Sequence, residues 1–181
     1  MKSLCLLIFA ISVATSLACR PAAAPVAVSN RPTSVNEVKV TKPWSETSWT
    51  KEDGTAQTFS DLKGKAVILD FWATYCGPCR DEIPHLNQLQ AKYSGNLEVI
   101  GMHSGGDEDR PKIAEFRKEI PMDYRLAYPD DDMLDIVFHN DDRIPQTMVF
   151  DRNGRLVHKI VGFDKSIMNE LDAAVRQAIA Q

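Results

Sequence analysis

Phe71-Trp72-Ala73-Thr74-Tyr75-Cys76-Gly77-Pro78-Cys79-Arg80 places two cysteines, two residues apart, between an apolar run and a helix-like segment. Ala66-Val67-Ile68-Leu69 leads in, and the run from Lys65 to Phe71 is apolar at nearly every position. It reads as a strand buried on both faces. The segment leading out, from about Cys76 to Tyr93, repeats Leu86, Leu89 and Tyr93 at spacings of three and four and reads as a helix. Pro84 falls inside it and predicts a kink. Cys76 then sits at a helix N-terminus, where unpaired N–H groups and the dipole favour a thiolate. Cys79, one turn later, falls on the same face within bonding reach. Pro78 costs little in a first turn, and Gly77 gives a partner close access to the sulfur. The pair reads as a thiol–disulfide exchange site. Structural zinc needs about four ligands, and no second cysteine pair exists, while His85, His103, His139 and His158 are scattered. A bridge across two residues closes too short a loop to add much stability.

Outward from this stretch the pattern alternates. Trp44 to Phe59 reads as short strands around the turn Lys51-Glu52-Asp53-Gly54. Leu97 to Met102 reads as a strand, Arg110 to Glu119 as a short helix, Arg125 to Tyr128 as a short strand and Met133 to Phe138 as a helical turn or two. Gln146 to Phe150 and Leu156 to Val161 pair as a hairpin around Asp151-Arg152-Asn153-Gly154. Ser166 to Ala180 closes the chain as an amphipathic helix. The order βαβα(βα)ββα predicts an α/β domain. The acidic loops Asp130-Asp131-Asp132 and Asn140-Asp141-Asp142 lack the calcium-loop pattern and read as solvated. His103, just after a strand, reads as a surface or internally satisfied histidine.

The 181 residues suffice for one domain and a tail, with 44% hydrophobic and 25% charged residues, as in a protein with a real core. The net charge is −4, and no basic block points to nucleic acid. Residues 1–18 read as a secretory signal: Lys2 is the only charge, and Leu4 to Leu17 is apolar but short for a membrane span. Ser16-Leu17-Ala18-Cys19 resembles a bacterial lipobox, with Ser16 where leucine is usual; ordinary cleavage after Ala22-Ala23-Ala24 is the alternative. With Cys5 removed and Cys19 lipidated, Cys76 and Cys79 are the only free thiols in an oxidising compartment. Residues 19–43, rich in Pro, Ala, Val, Ser and Thr, read as a flexible tether, and 44–181 as the folded domain.

From about Trp44 to Gln181 the chain resembles the TlpA/ResA-like thiol–disulfide oxidoreductases. The motifs are Gly64-Lys65, Phe71-Trp72-Ala73-Thr74, Cys76-Gly77-Pro78-Cys79, Glu82-Ile83-Pro84, Ile144-Pro145-Gln146-Thr147 and Phe150-Asp151-Arg152-Asn153-Gly154. Tyr75 stands where tryptophan is commoner. The resemblance implies a thioredoxin-like fold, a central mixed β-sheet flanked by helices with an N-terminal β-hairpin extension. It implies a cis Pro145 facing the cysteines, with the Ile144 backbone free to pair with an extended substrate, and Trp72, Gly77 and Pro78 shaping the docking groove. Asp70 takes the place of the buried acid beneath the pair; a carboxylate ending an apolar strand has a raised pKa and suits a proton acceptor for Cys79. Glu82 matches an active-site acid of this group, though an acid in a first helical turn also simply suits the dipole.

The implied activity is extracytoplasmic reduction of protein disulfides, in the periplasm or cell envelope, with no cofactor or metal beyond the redox disulfide. The implied partners are a disulfide-bearing substrate protein and a membrane electron donor; keeping apocytochrome c cysteines reduced is the family's best-known task. An oxidase or isomerase on the same fold is the main alternative. A copper-handling relative has three residues between its cysteines, and a peroxidase a different motif.

Overall fold

The computed structural model describes residues 43–181. The expected signal, the lipid-bearing Cys19 and nearly all of the tether lie outside the described residues. Among the described residues, no helix is long and apolar enough to cross a membrane.

The described strands are β1 (Ser48–Lys51), β2 (Ala56–Thr58), β3 (Ala66–Trp72), β4 (Leu97–His103), β5 (Arg125–Pro129), β6 (Gln146–Phe150) and β7 (Leu156–Val161). They form one mixed sheet in the order β2-β1-β5-β4-β3-β6-β7. The helices are α1 (Gly77–Lys92), α2 (Ile113–Glu119), α3 (Asp131–Phe138) and α4 (Lys165–Ala180). β3 pairs parallel with β4 and antiparallel with β6, so it lies inside the sheet. Every residue of β3 and of β4 is buried, which explains their near-continuous apolar sequence. The hairpin β1–β2, joined through Asp53-Gly54, adds to the free edge of β5 by antiparallel pairing of Trp49 with Pro129.

Alternation along β3 divides the core. Ala66, Ile68 and Trp72 face α1, α2 and α4, together with Ile83, Leu86, Phe116, Leu171 and Val175. Val67, Leu69 and Phe71 face α3 and the N-terminal segment, with Trp44, Trp49, Phe59 and Met133. Asp70 therefore belongs to the α1 side.

One detail differs from the sequence expectation. The helix expected over 110–119 begins with a 3₁₀ turn, Arg110–Lys112, before α2. Helix α1 runs from Gly77 to Lys92 with Pro84 inside it.

Candidate active site

The site forms where β3 ends and α1 begins. Cys76 is the N-cap of α1, in extended backbone, and its sulfur accepts the Cys79 N–H at 3.1 Å. The helix supplies the stabilisation of a Cys76 sulfur anion that the sequence predicts. Cys76 and Cys79 are joined as a disulfide across 5.3 Å between Cα atoms. Cys79 is 1% exposed and Cys76 5%, so the first cysteine is the one nearer solvent. Gly77 and Pro78 are exposed beside it, and Tyr75, at 69%, is the large apolar side chain most open to solvent among the described residues.

The Ile144–Pro145 peptide is cis, and Ile144 packs against the core cluster that holds Cys76 and Cys79. Gln146 holds this loop: its Nε2 donates to the carbonyls of Asp141 and Arg143. Gly162 N–H donates to the Pro145 carbonyl at 2.8 Å. Among the described residues the Ile144 N–H and carbonyl make no hydrogen bond. Tyr75, Ser104, Phe138, Asp142 and Ile144 line an open hollow of about 210 Å³ beside the cysteines.

Two buried carboxyl groups, Asp70 of β3 and Glu82 of α1, lie on the side of the sheet against which the cysteines pack. Asp70 pairs in register with Thr147 on β6 and with Gly101 on β4. It is 1% exposed; Tyr124 Oη donates to its Oδ2 at a long 3.5 Å, and its Oδ1 has no partner among the described residues. Glu82 follows Cys79 by three residues on the same helical face and is fully buried. Thr147 Oγ1 donates to Glu82 Oε1 at 2.6 Å, while Oε2 has no partner among the described residues. Burial raises Asp70 to about 7, against the weak help of Tyr124. Burial also raises Glu82 well above the usual range, and repulsion from Asp70 adds to it. Two anions this close in a low dielectric exclude one another, so the pair titrates as a unit.

Glu82 therefore does not play the first-turn dipole role that was its alternative reading. It is the sixth residue of α1, turned into the core. Trp72 needs correction. It is fully buried, packed against Phe116 and edge-on to His103 at 5.0 and 5.4 Å between centroids, and cannot line a docking groove. The side chain forming that rim is Tyr75.

Tyr124 and Asp109 were not singled out from sequence, Thr147 only as part of a motif, and His103 was read as a surface or internally satisfied histidine. Thr147 and Tyr124 touch the two acids. Asp109, 2% exposed, accepts from Thr74 N–H at 2.8 Å and Thr74 Oγ1 at 2.5 Å, tying the loop that precedes Cys76. His103 is buried, and its Nε2 donates to Asp109 Oδ2 at 3.0 Å. Burial works against an ionised Asp109, yet the bonds from Thr74, His103 and Lys112 outweigh it and hold the group at about 2. Burial lowers His103, so the imidazole stays neutral. Gly105 lies against Asp109, where a Cβ would stand 2.5 Å from Oδ2. Tyr124 is brought in by tertiary packing. Gly101 leaves room for it, since a Cβ at Gly101 would stand 3.0 Å from the Tyr124 ring.

A parallel–antiparallel mixed sheet, a helix capped by the first of two bonded cysteines and a cis proline just before β6 define the thioredoxin-like class. The chain belongs to the Redoxin family, whose family model matches residues 35–175. It is similar to thiol-disulfide oxidoreductase ResA of Bacillus anthracis, 33% identical over 114 residues, 61% of this chain and 62% of that protein. It is similar to thioredoxin-like protein YneN of Bacillus subtilis (strain 168), 32% identical over 97 residues, 45% of this chain and 57% of that protein. The matched part thus spans under two thirds of these relatives. Among solved structures, a thiol:disulfide interchange protein of the thioredoxin family from Chlorobium tepidum TLS superposes with a TM-score of 0.61. It is 27% identical, with 76% of this chain and 97% of that one covered.

Proposed function

We propose that this protein is an extracytoplasmic thiol–disulfide oxidoreductase that reduces disulfides in proteins. The Cys76 thiolate attacks a substrate disulfide, breaking its S–S bond and forming a mixed disulfide. Cys79 then loses its proton, attacks the Cys76 sulfur and releases the substrate as a dithiol. Two electrons pass to the substrate, and the enzyme ends with the Cys76–Cys79 bond. Asp70, with its proton affinity near neutrality, accepts the Cys79 proton; Glu82 keeps its own proton and shares the buried network. Gly77, Pro78, Tyr75 and the free Ile144 backbone receive an extended substrate segment beside Pro145, as an added strand.

The observation that carries this reading is the bonded cysteine pair with Cys76 as the N-cap of α1; a buried acid of raised proton affinity, Asp70, on the preceding strand supports it. The names of similar proteins support thiol–disulfide chemistry, and the resemblance adds the rest of the setting. Cys19 carries lipid, residues 19–43 tether the domain, and a membrane donor returns the enzyme to its dithiol form. Apocytochrome c is one substrate the resemblance implies. The direction is tested by equilibrating the couple with glutathione. A reductase lies near the thioredoxin range, about −270 mV, whereas a value near about −120 mV makes the protein an oxidase. Cys79→Ser stalls the cycle at the mixed disulfide, so partners linked to Cys76 are identified directly.

A further inference from the structure

The geometry points to Asp109 as a positioning residue for Cys76, an inference that rests on the exchange reading above. Thr74 stands two residues before the nucleophile. Both of its hydrogen-bond donors end on this one carboxylate, the amide on Oδ2 and the hydroxyl on Oδ1. Two bonds from one residue to one carboxylate fix backbone and rotamer together. The strand end just before is held as well: Ser104 N–H and Oγ donate to the Trp72 carbonyl at 2.9 and 3.2 Å. Cys76 N–H in turn donates to the Ala73 carbonyl at 3.2 Å. The loop from β3 to the N-cap is thus tied to the segment after β4 at two points.

The carboxylate is itself anchored. His103 donates to Oδ2, and Lys112 Nζ donates to Oδ1 at 3.3 Å. The His103 ring is buried edge-on to Trp72 and Tyr128, at 5.4 and 6.1 Å between centroids. Gly105 has no side chain to push the carboxylate away. A line of contacts therefore runs from the core, through the imidazole and Asp109, to the loop carrying the nucleophile. Cys76 must sit at the N-cap for its sulfur to accept the Cys79 N–H, so the clamp sets both where the thiolate stands and how far the helix stabilises it. Displacement by about 1 Å from such a position costs on the order of 100-fold in rate.

The test uses the reduced protein as wild type, Asp109→Ala, Asp109→Asn and Thr74→Val. Alkylation of Cys76 by iodoacetamide is followed from about pH 4 to about pH 9, with exchange against a disulfide-bonded peptide and thermal unfolding measured alongside. Asp109→Ala is expected to slow exchange about 10–100-fold and to raise the alkylation midpoint. Loss of a nearby negative charge alone would lower that midpoint, so a rise reports lost position. Asp109→Asn keeps an acceptor for Thr74 and restores most of the rate; Thr74→Val falls between. Wild-type midpoint and rate in Asp109→Ala, whatever its melting temperature, overturn the inference, as does a lowered midpoint. If Asp109→Ala does not fold, an unchanged rate in Thr74→Val overturns it instead. Absence of exchange in the wild type defeats the oxidoreductase reading itself, which separates the two failures.

Discussion

Asp70 and Asp109 are the same residue type, buried to the same degree at 1% and 2% exposed, on neighbouring segments of one site. Their proton affinities move in opposite directions, to about 7 and about 2. Burial penalises both anions. The difference is in depth and in the donors: Asp70 lies deep in the core with one long bond from Tyr124, whereas Asp109 lies near the surface and collects two bonds from Thr74 and one each from His103 and Lys112. A fully satisfied buried carboxylate is a fixture of the fold. An unsatisfied one is held ready to take and release a proton near neutral pH. On the reading proposed above, the first places the nucleophile and the second serves the resolving cysteine.

The contrast can be broken by mutation. Asp109→Ala has the largest expected effect on stability, a loss of roughly 2–4 kcal/mol in denaturant unfolding, because it orphans a buried amide, hydroxyl and imidazole. Part of the wild-type advantage has a pH signature. The folded-state pKa of Asp109 is depressed, so its contribution is full above the unfolded value near 4 and is lost as pH falls through about 2. Asp70 has the opposite sign. Its folded-state pKa is raised, so the native protein retains a proton that the unfolded chain releases, and stability falls between about pH 4 and about pH 7. Asp70→Asn is therefore expected to stabilise the fold by up to roughly 4 kcal/mol at about pH 8 and to change nothing below about pH 4, a comparison made by urea unfolding at both pH values.

Gly101→Ala sharpens the same contrast by disturbing Asp70's one donor. The new Cβ would stand 2.9 Å from Met122 Cε and 3.0 Å from Trp72 Nε1 and the Tyr124 ring. Overpacking of this kind costs roughly 1–3 kcal/mol, and a displaced Tyr124 raises the Asp70 midpoint further, read by carboxyl NMR titration. Glu82→Gln has the smallest effect. It removes the second titrating group, so the two-step carboxyl titration collapses to one step while exchange near pH 7 changes only a few-fold, roughly the scale of a single hydrogen-bond change.

Much of this was legible in the chain because the reasons were local. Periodicity and turn residues located β3, α1, the hairpin β6–β7 and α4 to within a residue or two. Cys76 and Cys79 marked the candidate site; the raised proton affinity of Asp70 was expected of a carboxylate ending an apolar strand, and its place at the site came from the resemblance. What was not legible depends on packing between distant segments. Trp72 looked like groove surface, but strand alternation turns it under α1 and against Phe116. Glu82 looked equally suited to solvent at a helix start, because only the register of β3 with β6 brings Thr147 to it. Asp109 sat in a polar run between a strand and a helix with nothing local to mark it, and Tyr124 required the missing side chain of Gly101.

The most direct test of the site is the rate at which Cys79 resolves a preformed mixed disulfide on Cys76, followed by stopped flow against pH in wild type and Asp70→Asn. With Asp70 as the proton acceptor, the wild-type rate rises with a midpoint near 7, and Asp70→Asn removes that limb and slows resolution about 10–100-fold at neutral pH. Superimposable profiles for the two proteins would contradict the assignment of the buried acid to the cysteine pair.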